Sequence, residues 1–457
     1  MGLPSGYYQD AIPVVTDWAG VVSFKPGAYL TPTSVAELKA ILTYVQNCKP
    51  EKSVRFLGGL HSCSDILESE IVIDTSRLPI TFTVTKVPGG GVEVVASAFM
   101  HVHDFLARAA RHDLSLTSLG GTDAQTLAGL ISTNTAGATA KNSIYDTVEW
   151  VEYLTVPAGG GALEAVRVEK AAPRFKAVIC SLGVIGCLTL VGFKLVPQRY
   201  YKGSFEIRKL ADVLDDVCKT STSHEFWRIE WIPNKKVGLF WSANPILRQA
   251  DGDYRSDKDE DKLRWLQKVN QKIWRNGPFS NWSLGLIYDV LVALYKRKTA
   301  SGPMRYIIPC DRRAVLHVAM AEWSFDPADL ERAMNACRTY FKKYKWPNMP
   351  VEIECTPTDD YMMSAWNWPG LATPYIMKFN FQYLTDFLDD GEKRAMVAHL
   401  RGLWEHLVAE RIPFKAHWGK IHFWSRDTVV RSHDQAAFRS YAHAMFSNPA
   451  LLALGIP

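Results

Sequence analysis

Two short stretches of the sequence place reactive side chains in unusual settings. An apolar pattern, VRFL, runs into Gly58 and Gly59 and then presents His61 beside Ser62. A glycine pair after a strand lets the backbone approach a flat or anionic group closely. The histidine that follows can be an ordinary turn residue, a metal ligand, a catalyst or a covalent anchor. Far downstream, the stretch HWGKIH holds Lys420 among aromatic residues.

A third stretch, VEIEC, contains two acidic residues with one residue between them. Side chains of a strand alternate between its faces, so Glu352 and Glu354 are predicted to share a face. Two close carboxylates repel each other and raise one pKa. The pair therefore favours a neutral polyol or a cationic group over an anion, with a solvated surface strand as the alternative.

Glycine, serine and threonine concentrate in loops that are widely separated in the chain. These loops are GGLHS (58–62), SLGGTDAQTLAGLISTNTAG (118–137), SLGVIG (181–186) and HWGKIH (417–422). Their backbone N–H groups and hydroxyls suit a long cofactor that contains a pyrophosphate. No GxGxxG fingerprint opens a strand–turn–helix unit and no GxxxxGK[ST] occurs, which disfavours Rossmann and P-loop sites.

The elements that must position these loops change in character near Pro197. Before it, short strands alternate with helices such as SVAELKAILTYVQN, which has Ser34 at its N-cap position. VEWVEYLTVPAGGGALEAVRV predicts a hairpin that turns at 159–161. After it, strands such as HEFWRIEWIP and PVEIECTP are separated by two long helices, DPADLERAMNACRTYFKKY and DDGEKRAMVAHLRGLWEHLVAE. This pattern predicts an antiparallel sheet covered by helices.

Composition excludes several classes of protein. The 457 residues predict more than one domain, and a net charge of +5 from 52 basic and 47 acidic residues does not indicate nucleic-acid binding. The eight cysteines are scattered without a CxxC pair, and the first residues do not read as a secretory signal, so we expect a cytoplasmic protein. The apolar stretch Leu284–Tyr295 is too short to span a bilayer. It leaves peripheral membrane association open.

In the order and content of its motifs, the chain resembles the vanillyl-alcohol oxidase / p-cresol methylhydroxylase flavoproteins. GGLHS combined with a distant HWGK is specific to that family, HEFWRIEWIP looks like the first cap-domain strand, and the resemblance covers nearly the whole chain. Within the family the chain looks most like the sugar-1,4-lactone and alditol oxidases. The resemblance implies an α+β fold: a two-subdomain FAD-binding domain (1–198), an antiparallel-sheet cap domain with helices (199–414), and a segment returning to the FAD site (415–457).

The same resemblance implies FAD attached covalently through His61 to the isoalloxazine 8α carbon. Relatives with a second link through cysteine carry it in the loop that here reads SLGGT, so one bond is implied. Gly120 matches the position that controls oxygen access, where a glycine leaves room for O2, and Ile185 matches a contact to the adenine end. The residues assigned to the cofactor are Gly58, Gly59, His61, Ser62, Gly120, Gly121, Thr126, Gly129, Thr133, Thr135, Ile185, His417 and Lys420.

On the substrate side, the resemblance assigns catalysis to Lys420, Glu352 and Glu354. Lys420 matches a lysine that accepts the hydroxyl proton or balances charge on the reduced flavin. Glu354 departs from the family, which has Glu-x-Arg there to fix substrate hydroxyls. A further departure is Thr133-Asn134-Thr135-Ala136-Gly137, where the family has Thr-Gly-Thr-His-Gly.

The sequence therefore predicts an FAD-dependent oxidase that acts on an alcohol of a sugar lactone or polyol and reduces O2 to hydrogen peroxide. The alternatives are a dehydrogenase of a glycosyl or specialised-metabolite alcohol and a flavin-binding protein that has lost catalysis. A metal site built from His101, His103, His417 and His422 is disfavoured, because no spacing or nearby acid completes a ligand set. The expected partners are a small alcohol and O2, and no oligomeric state is predicted.

Overall fold

The computed structural model describes residues 11–49, 51–87, 91–157, 161–215, 217–247, 298–308, 317–386 and 388–457. The apolar stretch Leu284–Tyr295 and the centre of the predicted turn at 159–161 lie outside these residues. Among the residues described, no helix combines the length and apolar character that crossing a membrane requires. The cytoplasmic location stays a prediction.

The part of the chain up to Pro197 folds into small sheets with helices against them. Its largest sheet is antiparallel, with strand order β10-β9-β11-β7-β6, and a parallel sheet has the order β3-β5-β4. The strands are β1 (Val15–Thr16), β2 (Ser23–Phe24), β3 (Ala28–Leu30), β4 (Val54–Leu57), β5 (Ile71–Asp74), β6 (Phe82–Val87), β7 (Gly91–Ser97), β8 (Leu114–Ser115), β9 (Val148–Thr155), β10 (Glu164–Glu169), β11 (Cys187–Phe193) and β12 (Val196–Pro197). The helices are α1 (Val35–Cys48), α2 (Val102–Ala110), α3 (Leu127–Ser132) and α4 (Phe175–Val178).

Helix α1 shows how local sequence produces this part of the fold. Ser34 accepts a hydrogen bond from the Glu37 N–H at the first turn, which satisfies a donor that the helix itself leaves unpaired. The buried side chains of α1 recur at helical spacing and belong to the same apolar cluster as Val54 of β4 and Ile73 of β5. Burial of α1 against the parallel sheet thus fixes β4, the strand that leads into GGLHS.

The part after Pro197 is dominated by one antiparallel sheet with strand order β16-β13-β15-β14-β18-β19-β17-β20. Its strands are β13 (Tyr200–Lys209), β14 (Phe226–Trp231), β15 (Val237–Ile246), β16 (Lys298–Pro303), β17 (Val318–Phe325), β18 (Val351–Pro357), β19 (Tyr375–Leu384) and β20 (Lys415–Ala416). The described helices are α5 (Leu210–Asp215), α6 (Val217–Ser223), α7 (Met304–Ile307), α8 (Leu330–Lys343), α9 (Asp390–Ala409), α10 (Arg426–Ser432), α11 (Gln435–Arg439) and α12 (Pro449–Ala453).

Strand β19 separates the two faces of this sheet. Its ten residues are all buried, yet Lys378, Asn380 and Gln382 alternate with aromatic residues. The aromatic face packs under the helices, since Phe381 lies 6.2 Å from Phe341 of α8 between ring centroids. The polar face therefore points the other way, into a cavity.

These observations confirm the predicted α+β fold, with its antiparallel sheet and covering helices. The hairpin β9–β10, the Ser34-capped helix and the two long helices are also confirmed. The residue boundaries proposed for the domains stay predictions.

Candidate active site

A cavity of about 640 Å³ lies between the glycine-rich loops and the polar face of the large sheet. The structure brings most of the sequence-predicted site residues to its wall. Those on the wall are Gly58, Gly59, His61, Ser62, Gly121, Thr126, Gly129, Thr133, Thr135, Glu352, Glu354, His417 and Lys420. Residues separated by more than 350 positions in the chain therefore face one space.

Direct hydrogen bonds join the first and last of the predicted loops. The Cys63 N–H donates to the Gly419 carbonyl at 2.9 Å, and the Ser64 hydroxyl donates to the Trp418 carbonyl at 2.7 Å. Because both loops also contain glycine, their backbones approach closely. GGLHS and HWGKIH thus form one continuous part of the cavity wall.

His61 lies where these two loops meet. Its ring centroid is 5.2 Å from that of Trp18. Burial lowers the pKa of His61 to about 4, and the nearby charges of Lys420 and His101 act in the same direction. The imidazole is therefore neutral at neutral pH, the form in which a ring nitrogen has a free lone pair.

The glycine pair before His61 is required by packing against the second loop. A Cβ atom on Gly59 would lie 2.5 Å from the Ala124 carbonyl oxygen, and one on Gly58 would meet the Thr126 hydroxyl. By contrast, a Cβ on Gly121 would meet nothing within 4 Å. The close approach that the sequence predicted at Gly58 and Gly59 is therefore made to residues 124–126.

Two predicted residues are absent from the cavity wall, Gly120 and Ile185. Gly120 is buried behind Thr135, whose methyl carbon would lie 2.5 Å from a Cβ at position 120. Ile185 is fully buried, while Gly183 and Gly186 of the same SLGVIG turn line the cavity. Neither residue lines the cavity. The roles proposed for them, oxygen access for Gly120 and contact to the adenine end for Ile185, stay predictions.

The departure at Asn134 has a structural explanation. Its φ of 54° lies in the left-handed region, where the family's glycine is unstrained and asparagine is tolerated. The Asn134 amide donates to an Asp359 carboxylate oxygen at 2.9 Å and to the Ser364 hydroxyl at 2.6 Å. These bonds fix the backbone between Thr133 and Thr135, which line the cavity.

His417 connects the carboxyl-terminal loop to this segment. Burial, with the positive charges of Lys420 and Lys378, lowers its pKa well below the ordinary value, and a hydrogen bond with the Thr133 backbone opposes that shift. Its Nδ1 atom accepts from the Gly419 N–H at 3.1 Å. His417 is thus a neutral, buried link between two loops of the wall.

The predicted carboxylate pair is neutralised by cations from the neighbouring strands. Arg228 of β14 donates to Glu354 at 2.6 Å through Nε and to Glu352 at 2.7 Å through Nη1. On the other side, Lys378 of β19 lies 3.2 Å from Glu354. The strand register explains this arrangement, since Glu354 is directly opposite Arg228 on one neighbour and Lys378 on the other.

The expected repulsion between Glu352 and Glu354 is present, but the cations Arg228 and Lys378 bind the same pair. The preference for a neutral or cationic ligand over an anion stays a prediction. Burial raises the pKa of Glu352, with a smaller contribution from Glu354. Burial also disfavours ionisation of Glu354, but Arg228 and Lys378 outweigh it and lower the pKa of that carboxyl. The pair is an ion-pair network with its own cations, and Glu354 is already paired within the protein.

Sequence reasoning missed several residues on the sheet side of the wall. They are Arg228, Glu322, Lys378, Asn380 and Gln382. A signal was present in YIMKFNFQYL, where three polar residues alternate with apolar ones in a segment too apolar to be a surface strand. Arg228 and Glu322 gave no such signal.

The loop side of the cavity offers donors that fit FAD. Gly59, Leu60, His61 and Ser62 line the cavity, and within the described residues none of their backbone N–H groups donates to another protein group. Consecutive unpaired N–H groups of this kind bind phosphate and carbonyl oxygens. Together with the hydroxyls of the second loop, they suit the pyrophosphate and ring carbonyls of the cofactor.

The fold and this cavity fit an FAD-binding flavoprotein. Residues 26–162 match an FAD binding domain, and residues 191–444 match the model of D-arabinono-1,4-lactone oxidase. The second match covers more than half of the chain. The chain belongs to the D-arabinono-1,4-lactone oxidase family, within the sugar lactone oxidases.

Similar proteins agree with this assignment. A D-arabinono-1,4-lactone oxidase of Saccharomyces cerevisiae is 26% identical over 53% of this chain and 46% of its own length. An L-gulonolactone oxidase of Bos taurus is 27% identical over 48% of this chain and 49% of its own length. The matches thus span about half of the length of these curated relatives.

Solved structures share the fold. A cholesterol oxidase from B. sterolicum has a TM-score of 0.73 at 14% identity, covering 100% of this chain and 99% of its own. A solvent-stable cholesterol oxidase has a TM-score of 0.74 at 15% identity, covering 98% of each chain. At this identity the likeness concerns the fold alone.

Proposed function

We propose that this protein is an FAD-dependent oxidase that removes a hydride from a hydroxyl-bearing carbon of a sugar lactone or polyol and reduces O2 to hydrogen peroxide. The observation that supports it most is the cavity that the glycine-rich loops share with the polar face of the large sheet. FAD, when bound, supplies the hydride acceptor. The names of the curated relatives suggest aldonolactones as the first substrates to test.

Four side chains of the cavity wall have proposed roles in this reaction. The neutral imidazole of His61 provides the nitrogen for one covalent bond to FAD. Lys420, close enough to lower the pKa of His61, accepts the hydroxyl proton or balances negative charge beside the flavin. Glu352 accepts from Asn380 at 3.4 Å, and its carboxylate orients substrate hydroxyls. Glu354 holds Arg228 and Lys378 in place.

A purified protein loaded with FAD tests this proposal. Aldonolactones and alditols should bleach the flavin without air, and the same compounds should release hydrogen peroxide in air. A flavin that no lactone or polyol reduces would contradict the proposed function and favour a flavin-binding protein without catalysis.

A dehydrogenase is the second candidate, because Gly120 does not line the cavity. Oxygen access beside Gly120 would require that Thr135, which packs against it, move aside. Under the oxidase proposal, Gly120→Ala displaces Thr135 and slows reoxidation in air more than reduction by substrate. Slow reoxidation of both proteins in stopped-flow experiments would favour the dehydrogenase. We also propose that the protein is cytoplasmic and that its partners are a small alcohol and O2.

A further inference from the structure

Three carboxylic acids line the sheet side of the cavity, but they are paired differently. Glu352 and Glu354 both accept hydrogen bonds from Arg228. The side chain of Glu322 lines the same cavity, and among the residues that the structure describes it has no hydrogen-bond partner. Of the three, only Glu322 has both oxygens available to a ligand.

Glu322 also belongs to the strand that holds the HWGKIH loop. Its carbonyl accepts from the His417 N–H at 2.9 Å, and the Met320 carbonyl accepts from the Ile421 N–H at 2.8 Å. Lys420 lies between these two anchor points of the loop. Strand β17 thus fixes the loop on both sides of Lys420, whose charge acts on the Glu322 carboxyl.

The electrostatic surroundings of Glu322 come from the two strands β18 and β19 and from the HWGKIH loop. Burial raises the pKa of its carboxyl, while the charges of Lys378 and Lys420 oppose that shift and those of Glu354 and Glu352 reinforce it. The net result is a pKa above the ordinary value of 4.5. A carboxylate made more basic in this way is a better proton acceptor near neutral pH.

We infer that Glu322 is the proton acceptor of the reaction, and that Lys420 acts as a fixed positive charge. This inference depends on the proposed function. The hydroxyl O–H bond of the substrate breaks and its proton forms a bond to a Glu322 oxygen, while the C–H bond breaks and its electron pair leaves as hydride to bound FAD. The carbon is thereby oxidised by two electrons to a carbonyl. Glu322 accepts the proton because an ammonium group has three donors and no acceptor.

The test compares wild type with Glu322→Gln, Glu322→Asp and Glu331→Gln, all loaded with FAD. Glu331→Gln is the matched control, since it removes a carboxylate from the exposed side of α8. Flavin reduction by the best lactone is followed without air across the pH range. Binding of a deoxy lactone that lacks the reacting hydroxyl is measured by calorimetry, which reports on the site without turnover.

In wild type the reduction rate should rise with pH through the pKa of Glu322, because only the ionised carboxylate accepts a proton. Glu322→Gln should reduce the flavin about 10²–10⁴-fold more slowly and lose this acid limb, while its affinity for the deoxy lactone stays close to wild type. Glu322→Asp should be slower than wild type but keep the acid limb. Glu331→Gln should match wild type.

Three results would overturn the inference. The first is a Glu322→Gln protein with the wild-type rate and pH profile. The second is equal loss of rate and deoxy-lactone affinity, and the third is loss of bound FAD; both would make Glu322 a structural residue. If lactones still reduce the flavin of the wild-type protein in these cases, the proposed function stays intact. If no lactone or polyol reduces the flavin of the wild-type protein, both the inference and the proposed function are overturned.

Discussion

The two sides of the cavity hold their polar groups in different ways. On the loop side, the residues around His61 line the cavity, and their backbone N–H groups have no acceptor in the described part of the protein. On the sheet side, the charges are largely paired with each other, as Arg228 is with Glu352 and Glu354. The loop side is therefore prepared for a ligand that brings negative charge. The sheet side suits a ligand that brings none.

This difference favours a neutral, hydroxyl-rich substrate. Burial disfavours the ammonium of Lys378, but Glu322 and Glu354 outweigh burial and raise its pKa, so the cation is retained beside its counter-ions. An anionic substrate would have to compete with these carboxylates for the same cations. A lactone or polyol needs only hydrogen bonds, which Asn380, Gln382 and the carboxylates offer.

The largest expected effect is on the loop side. His61→Ala should abolish retention of flavin after acid precipitation, because no covalent bond to the imidazole can form. FAD should still bind to the native protein through the remaining loops, with lower activity. The measurement is flavin absorbance in the acid-washed pellet, with His103→Ala as a half-exposed histidine control. Flavin that stays attached in His61→Ala would place the link elsewhere.

On the sheet side, Glu354→Arg should destabilise the protein rather than restore the substrate preference of relatives with Glu-x-Arg. The change removes the counter-ion of Arg228 and Lys378 and adds a third cation beside them. Since removing one partner of a buried pair costs about 3–5 kcal/mol, the loss of unfolding free energy should exceed that range. Adding Arg228→Glu should recover part of it, because the pair is then reversed.

A stable Glu354→Arg protein with a new lactone preference would contradict this account. It would mean that Glu354 contacts substrate and that its pairing in the sheet contributes little. Denaturant unfolding and a lactone panel on the same preparations separate the two outcomes.

Arg228→Ala measures the pairing alone. It leaves Glu352 and Glu354 buried without their shared cation, and should cost about 3–5 kcal/mol of unfolding free energy. Lys52→Ala is the matched control, because Lys52 lies 2.6 Å from Glu70 with both side chains more than a third exposed. Exposed pairs contribute about 0–1 kcal/mol. Similar losses in both variants would show that burial does not distinguish the two pairs.

The same contrast explains how much the sequence predicted. Loop residues such as Gly58 and His61 lie close together in the chain. A glycine pair at such a position indicates a close backbone approach without knowledge of the fold. The strands and helices also follow from local periodicity. Arg228 and Glu322 could not be predicted as site residues, because their proximity to Glu354 and Lys420 depends on strand order and register. Sequence alone gave the carboxylate pair but not the cations Arg228 and Lys378 that bind it.

The smallest expected effect returns to the loop side, at Asn134. Asn134→Gly keeps the left-handed backbone and removes the hydrogen bonds to Asp359 and Ser364. It should lower the unfolding free energy by about 1–3 kcal/mol, because two hydrogen bonds are lost and each contributes about 0.5–1.5 kcal/mol.

Asn134→Ala removes the same bonds but also forces a Cβ-bearing residue without a local hydrogen bond to adopt a φ of 54°. It should lose a further ~1–2 kcal/mol, the cost of the left-handed conformation for an ordinary residue. The difference between the two variants isolates backbone strain from side-chain bonding, and denaturant unfolding measures both. Equal losses would show that the side-chain bonds alone fix this segment. A larger loss in Asn134→Ala, with weaker FAD binding, would show that the backbone of Thr133 and Thr135 must keep this geometry to bind the cofactor.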